Sequence, residues 1–124
     1  MRLREFETSS GKKVLAGKDA GSNEELIGQV EAKEDVFHTA KPGSPFVNIK
    51  GRGNVKDRKE AAIFCAAKSQ DWRDNKRDVV VHWFKGKDVY KEKGMKTGTF
   101  GVKKKKNVLV KKNEIERFLK NGNK

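Results

Sequence analysis

Side chains able to do bond-making chemistry are sparse in this chain. Among 124 residues there are two histidines, His38 and His82, and one cysteine, Cys65. A lone cysteine forms no internal disulfide and no cysteine-based zinc site. Cys65 lies inside the apolar run Ala61 to Ala67, where a thiol is inert. Asp35 and His38 stand three apart on what reads as a strand. Their side chains then point to opposite faces, which makes them a poor acid–base dyad. Two histidines without a carboxylate cluster at ligand spacing make no zinc centre. Phosphate-loop, GxSxG and HExxH patterns are absent. The expectation is therefore no metal, no cofactor and no enzyme.

The cations are the larger chemical resource. Lys and Arg number 30 against 17 Asp and Glu, a net charge of +13, and 38% of residues are charged. A typical domain carries about 25%. The excess is one-sided. Residues 1–75 hold 14 basic and 12 acidic side chains, whereas residues 76–124 hold 16 and 5. From Lys85 onward come Lys87, Lys91, Lys93, Lys96, the run Lys103 to Lys106, and then Lys111 and Lys112. Such a field attracts polyanions: RNA, DNA or an acidic membrane surface. Apolar residues interleave these lysines in Val79 to Phe84 and Val108 to Val110, which a disordered basic tail would lack. The longest apolar run, Ala61 to Ala67, is too short to cross a bilayer. No apolar leader follows Met1. A reducing cytoplasm suits the lone cysteine.

These residues need a scaffold, and its signals are legible along the chain. Arg2 to Glu7 reads as an edge-like strand, Ser9-Ser10-Gly11 as a turn, and Lys13 to Gly17 as the returning strand. Ser22 and Glu25 fit a reciprocal cap that opens a helix over 22–31. Asp35 to Ala40 is a strand, Lys41 to Pro45 a turn, and Phe46 to Lys50 the return. Val47 and Ile49 share one face of that return strand and Phe46 the other, so it sits centrally with both sides covered. Gly51 to Asn54 is a loop. Asp57, with Glu60 as reciprocal partner, caps a helix through Ala61 to Ala67 that ends near Ser69 to Asp71. That helix is apolar all round and must be buried on more than one side. Val79 to Lys85 is β-branched and aromatic, the strongest strand signal. Asp88 to Lys91, Gly98 to Lys103 and Val108 to Lys112 follow as strands, with Lys103 to Asn107 as a basic hairpin loop. Asn113 caps a last helix that docks through Ile115, Phe118 and Leu119 and stops at Gly122. The fold class is α+β: a mostly antiparallel sheet of about six or seven strands, a buried central helix and two shorter helices, in one domain over 1–124.

In this order the pieces resemble the NFACT-R domain, the RNA-binding-type domain of NFACT ribosome quality-control proteins. Gly17-Lys18-Asp19-Ala20-Gly21-Ser22-Asn23-Glu24-Glu25-Leu26 is similar to its GRdAxxNexL opening. Asp35-Val36-Phe37-His38-Thr39-Ala40 resembles its D-l-w-f-H-a strand, and Pro42-Gly43-Ser44-Pro45 the P-G-S-h that follows. Glu60-Ala61-Ala62 through Ser69-Gln70-Asp71-Trp72 looks like its eAA…yS.aw helix. Val89-Tyr90-Lys91 with Gly98-Thr99-Phe100 looks like its closing segment. The likeness spans roughly 4–112. Lys18 stands where arginine is usual, Thr39 where alanine is common, and Pro45 where a histidine often follows. The resemblance implies a binding module in its stand-alone form. RNA, either tRNA or rRNA, is the implied partner, with the large ribosomal subunit as a further one. DNA binding would be non-specific.

On that reading the candidate nucleic-acid contacts fall into groups. Lys18, Asn23 and His38 are the polar points of the resemblance. His38 is open to a structural hydrogen-bonding role, to phosphate contact and, third, to catalysis; His82 reads as core-adjacent. Ser44, beside Lys41, could offer a hydroxyl and turn amides to a phosphate, with Lys50 and Arg52 further along. At the end of the long helix, Lys68 is a cation and Trp72 is either a base-stacking platform or a core lid. Lys91, in the closing segment of the resemblance, is a further RNA contact, and Lys103, Lys104, Lys105, Lys106 and Lys111 would hold phosphate backbone without reading sequence. Two other functions are weighed against this one: a ribosome-bound protein-interaction adaptor, and a nuclease using His38.

Overall fold

The computed structural model describes residues 3–121. Strands β1 (Arg4–Glu7) and β2 (Lys13–Ala16) form the expected antiparallel hairpin. Arg2, where the sequence places the start of the first strand, lies outside the described residues, as does Gly122. Strands β3 (Asp35–Thr39) and β4 (Val47–Ile49) pair antiparallel, as their turn signals require. Strand β5 (Val79–Lys85) pairs with β3, and β8 (Lys106–Val110) pairs with β5. The result is a six-stranded sheet in the order β1-β2-β4-β3-β5-β8. Strands β6 (Val89–Tyr90) and β7 (Gly101–Val102) form a separate two-stranded sheet. The basic run is therefore not a hairpin loop. Lys103 to Lys105 carries the chain from the small sheet to the large one, and Lys106 and Asn107 already belong to β8.

Both faces of the large sheet are covered. On one lie helix α2 (Val55–Ala67), the short α3 (Gln70–Asn75) and α4 (Lys112–Lys120). Phe37, Val47, Ile49, Phe64, Cys65, Val79, Val81 and Ile115 are buried there. On the other lie α1 (Ala20–Gln29) and the small sheet, over Leu15, Leu26, Val36, Phe46 and Phe84. Phe46, just before β4, and Val47, its first residue, thus bury on opposite faces of the sheet, as expected for a central position. Helix α2 is buried along most of its length, with Ala61, Ala62 and Ala66 at 0% exposure; small side chains let the helix approach the sheet closely.

The helix starts differ from the sequence reading; in α1 and α2 an earlier side chain reaches the free amides first. Asp19, not Ser22, caps α1: it accepts from the Ser22 amide, while the Ser22 hydroxyl accepts from the Asp19 amide at 2.9 Å. Asn54, not Asp57, caps α2, with Asp57 as its reciprocal partner. The chain does not simply end its helix near Ser69. Ser69 caps the separate α3, its hydroxyl accepting from the Trp72 amide. Helix α4 begins after Lys111, and Glu114 accepts from the Lys111 amide, so Asn113 lies inside the first turn. Four α-helices are described where three were expected.

The carboxylate Glu34 is 4% exposed and joins two elements. It accepts from Lys50 Nζ at 2.8 Å, from the Gly51 amide at 2.8 Å and from the Glu31 amide at 3.0 Å. Lys50 also donates to Gln29 Oε1, and Gln29 Nε2 donates to Asn48 Oδ1 in the middle of β4.

Candidate nucleic-acid interface

A cavity of about 760 Å³ opens on the α1 side of the sheet. Its floor comes from strand alternation. On β3 and β5, His38, His82 and Phe84 face this side, while Phe37, Val81 and Trp83 face α2. Register places His38 directly across from His82. The turn Pro42 to Pro45 forms one wall and Thr97 to Phe100 another. Phe46 stacks tilted against His38, with ring centroids 4.4 Å apart, and meets Phe100 edge-on at 5.5 Å.

The second wall is held from α1. Glu24 accepts from Lys91 Nζ and from the Gly98 amide. Those two hydrogen bonds, first the one from the Lys91 ammonium and then the one from the Gly98 backbone, hold the Glu24 carboxyl below its usual range. Gly98 has φ +83, and a Cβ there would meet Ala20. Only glycine lets the loop lie this close to α1.

Cations ring the opening. Arg4, Lys18, Lys68, Arg73 and Lys105 line the cavity, with Asp19 as the acidic lining residue. Arg4 comes from β1, Lys18 from the lead-in to α1, Lys68 and Arg73 from the α2–α3 corner, and Lys105 from the approach to β8. Burial, and then the nearby Arg4 charge, lower the Lys68 ammonium from its ordinary value. Both imidazoles are lowered too. Burial is the main cause at His38, and the His82 charge adds to it against the opposing Thr39 hydrogen bond. Burial and then Lys105 act at His82. His38 Nδ1 lies 2.8 Å from the Thr39 carbonyl, so Nδ1 carries the proton and Nε2 is left as an acceptor. An electropositive, partly aromatic hollow of this kind has the chemistry to meet a phosphate at its rim and a planar ring inside.

Of the sequence-predicted contacts, Lys18, Asn23, His38, Ser44, Lys68 and Lys105 line this cavity. Two of them are also structural. Asn23 Oδ1 accepts from the Phe46 amide, and a Cβ on Gly17 would collide with that same oxygen. The Ser44 hydroxyl accepts from the Thr39 amide at 3.0 Å and donates to the Pro45 carbonyl at 3.2 Å, so it braces its own turn. The remaining candidates lie elsewhere. Lys41 stands outside the cavity, 3.8 Å from Asp71. Lys50 is committed to Glu34 and Gln29, and with Arg52 it lies beyond the far end of β4. Lys91 donates to Glu24 and to the carbonyls of Lys96 and Thr99, leaving no proton for a phosphate. Trp72 is 4% exposed and belongs to the core, so no face remains for a base to stack on. Lys103, Lys104, Lys106 and Lys111 are exposed along the β8 side.

Sequence reasoning misses Arg4, Arg73, His82 and Phe100. Strand alternation from the buried Val79 and Val81 is the available signal for His82. Arg73 carries none, because nothing in the sequence announces α3 as a separate helix. Cys65 is buried, and desolvation pushes its thiol up to about 12. Among the described residues no group of three or more His, Cys, Asp or Glu is placed to hold a metal ion. Among them, too, no helix is long and apolar enough to cross a membrane.

Known proteins share both the sequence pattern and the fold. The family model described as NFACT protein RNA binding domain matches residues 2–104. The archaeal Rqc2 homolog aRqcH of Methanocaldococcus jannaschii is 34% identical over 102 residues, which is 76% of this chain and 15% of that protein. The chain thus spans a small part of that relative's length. A solved structure, the C-terminal part of the fibronectin/fibrinogen-binding protein from Streptococcus suis, superposes with a TM-score of 0.82 at 21% identity. The match covers 94% of this chain and 49% of that one. At that identity the likeness speaks for the fold alone.

Proposed function

We infer, from the premise that this chain belongs to the family of NFACT protein RNA-binding domains, that it is an RNA-binding module serving ribosome quality control. Structured RNA, tRNA or rRNA, is the ligand, and the module acts by binding rather than by catalysis. The matched archaeal relative carries the name of an Rqc2 homolog, which supports the ribosomal setting and with it a cytoplasmic one. The observation that carries the reading is the ring of Arg4, Lys18, Lys68, Arg73 and Lys105 around an aromatic-floored cavity. Phosphates held at the rim release counterions, and this supplies most of the affinity. The rings of Phe46, His38 and the Phe100 wall receive an unstacked base and add selectivity.

Binding of the purified chain to tRNA, duplex RNA, single-stranded RNA and duplex DNA across a salt series tests this. The expected result is tighter tRNA binding that survives moderate salt. Equal binding to all four, erased by salt, would leave only non-specific charge and sink the selective reading. Changing Lys103 to Lys106 together to glutamine should weaken RNA binding and flatten its salt slope by about 0.7–0.9 for each phosphate no longer neutralised. Thermal stability should barely move, since these side chains are exposed.

The histidines give a pH signature of opposite sign in the free and bound protein. Their folded values lie below the ordinary histidine value of about 6.5. The free domain therefore has this contribution in full above that value and loses it as pH falls through the folded values. A bound polyanion favours the imidazolium, so RNA affinity should rise over the same interval. Fluorescence anisotropy between about pH 7.5 and 5.5 reads the second effect, and denaturant midpoints read the first. A pH-independent affinity, identical in His38→Ala, would remove His38 from the interface.

A further inference from the structure

Trp83 occupies a place that the cavity does not use. It sits on β5 with its side chain on the α2 face of the sheet, away from His82 and Phe84. Its ring is only partly covered, and three cations stand over it. Arg58 of α2 lies 4.9 Å from the ring centroid, Lys106 of β8 5.4 Å and Lys85 of β5 5.9 Å. The Asp35 carboxylate accepts from Trp83 Nε1 at 2.8 Å and from Lys85 Nζ at 2.7 Å. It fixes the indole and neutralises Lys85. Arg58 donates to the Gly53 carbonyl, a neutral group. Lys106 is exposed, and its main-chain neighbour across the ladder is Trp83 itself. Two positive charges thus converge on one indole without an anionic partner among these contacts.

The position relative to the cavity matters as much as the composition. Lys105 lines the cavity on one face of the sheet, while Lys106, the next residue, stands over Trp83 on the other. Strand β8 is the edge of the sheet, with no strand beyond it among the described residues. A chain of phosphates leaving the cavity past Lys105 meets Lys106 as soon as it rounds that edge.

We propose that Trp83, Arg58 and Lys106 form a second nucleic-acid contact. It holds a phosphate and stacks a base further along the same RNA strand that occupies the cavity. The proposal rests on the RNA-binding reading above and adds a site on the opposite face. Cation and indole together suit single-stranded nucleic acid, since every base has a face to stack and every linkage a charge.

The chain has two tryptophans, and Trp72 is 4% exposed, so a Trp72→Phe chain leaves Trp83 as the sole reporter. A dye-labelled oligouridylate is titrated into it while dye anisotropy and tryptophan emission are followed together. The expected result is a Trp83 emission change that saturates in step with anisotropy. Arg58→Gln with Lys106→Gln should cost roughly 25-fold in affinity near 0.1 M salt, about 0.7 log unit per contact on a single strand. Should Trp72→Phe not fold, iodide quenching of the natural chain reads the same site, because Trp72 is shielded from iodide. Anisotropy that reports binding while Trp83 emission and iodide access stay unchanged overturns the second site and leaves the cavity reading standing. Absence of any anisotropy change, with this RNA or with tRNA, overturns both.

Discussion

Changing Lys18, Lys68, Arg73 and Lys105 together to glutamine is expected to lower affinity for single-stranded RNA by roughly 10²–10³-fold near 0.1 M salt. The magnitude follows from counterion release. Each phosphate contact on a single strand contributes a slope of about 0.7 in log affinity against log salt, hence about 0.7 log unit at 0.1 M relative to 1 M. These four side chains come from three separate stretches of sequence and share one opening. Each can therefore meet a phosphate of the same bound strand. The salt slope should flatten in proportion, and the variant and natural chains should converge near 1 M salt. Lys18 and Arg73 are exposed, and Lys68 is half-buried, so the sheet and its core should survive the change. A variant that keeps its slope would mean the rim cations do not face RNA, whatever the net charge of the chain.

A large effect on stability is expected at Glu34, where replacement by alanine should cost about 1–3 kcal/mol, the range for stranding the hydrogen-bond partners of a buried group, because Lys50 keeps part of its hydration. Burial alone would push this carboxyl up. The Gly51 amide, the Lys50 ammonium and the Glu31 amide outweigh it and hold the group below its ordinary value. Without Glu34, the Lys50 ammonium, partly covered, is left with neutral Gln29 oxygens, and the Gly51 amide loses its acceptor. Glu34→Gln keeps an acceptor for one amide and should lose less. The sign with pH follows from the lowered value. The contribution is complete above the ordinary carboxylate range and disappears as pH falls through the folded value. Denaturant midpoints of natural and Glu34→Ala chains at pH 7 and in acid would check both statements. The two chains should draw together in acid. A loss under about 1 kcal/mol at pH 7 would show that the surrounding groups find water instead.

The same pair explains what a sequence can and cannot reveal here. Lys50 is legible as a cation and so reads as an RNA contact. Only the fold brings it against Glu34, from an earlier turn of the chain. Lys91 misleads for the same reason: its partners are in α1 and in the loop before β7. Strands and core are readable because alternation and β-branching act over a few residues. Val79–Lys85 is the plain case, matching β5 end to end. Caps are less readable, since Ser, Asp and Asn crowd the same positions and the winner depends on where the chain arrives. Among the residues that carry the family likeness, Asn23 and the Pro42–Ser44 turn line the cavity, and Gly17 lies against Asn23. Asn23 and Ser44 brace the cavity's own backbone more than they offer free groups to a ligand. Trp83 stays unmarked in the sequence because nothing local distinguishes it from its apolar neighbours. Two of its cations come from α2 and β8.

The small sheet behind the Phe100 wall has a consequence for kinetics. Strands β6 and β7 share no ladder with the six-stranded sheet. Their ties to the rest include the Glu24 carboxylate and apolar contacts such as Phe100 on Phe46. An isolated two-stranded ribbon is marginal in water. The free energy of opening this wall is therefore smaller than that of unfolding the floor, where His38 and His82 sit in the middle of a covered ladder. The site thus pairs a slow, rigid half with a fast, yielding one. On the proposed reading, the rate at which a base enters or leaves would be set by the yielding half, and the affinity by charges anchored mostly on the other elements.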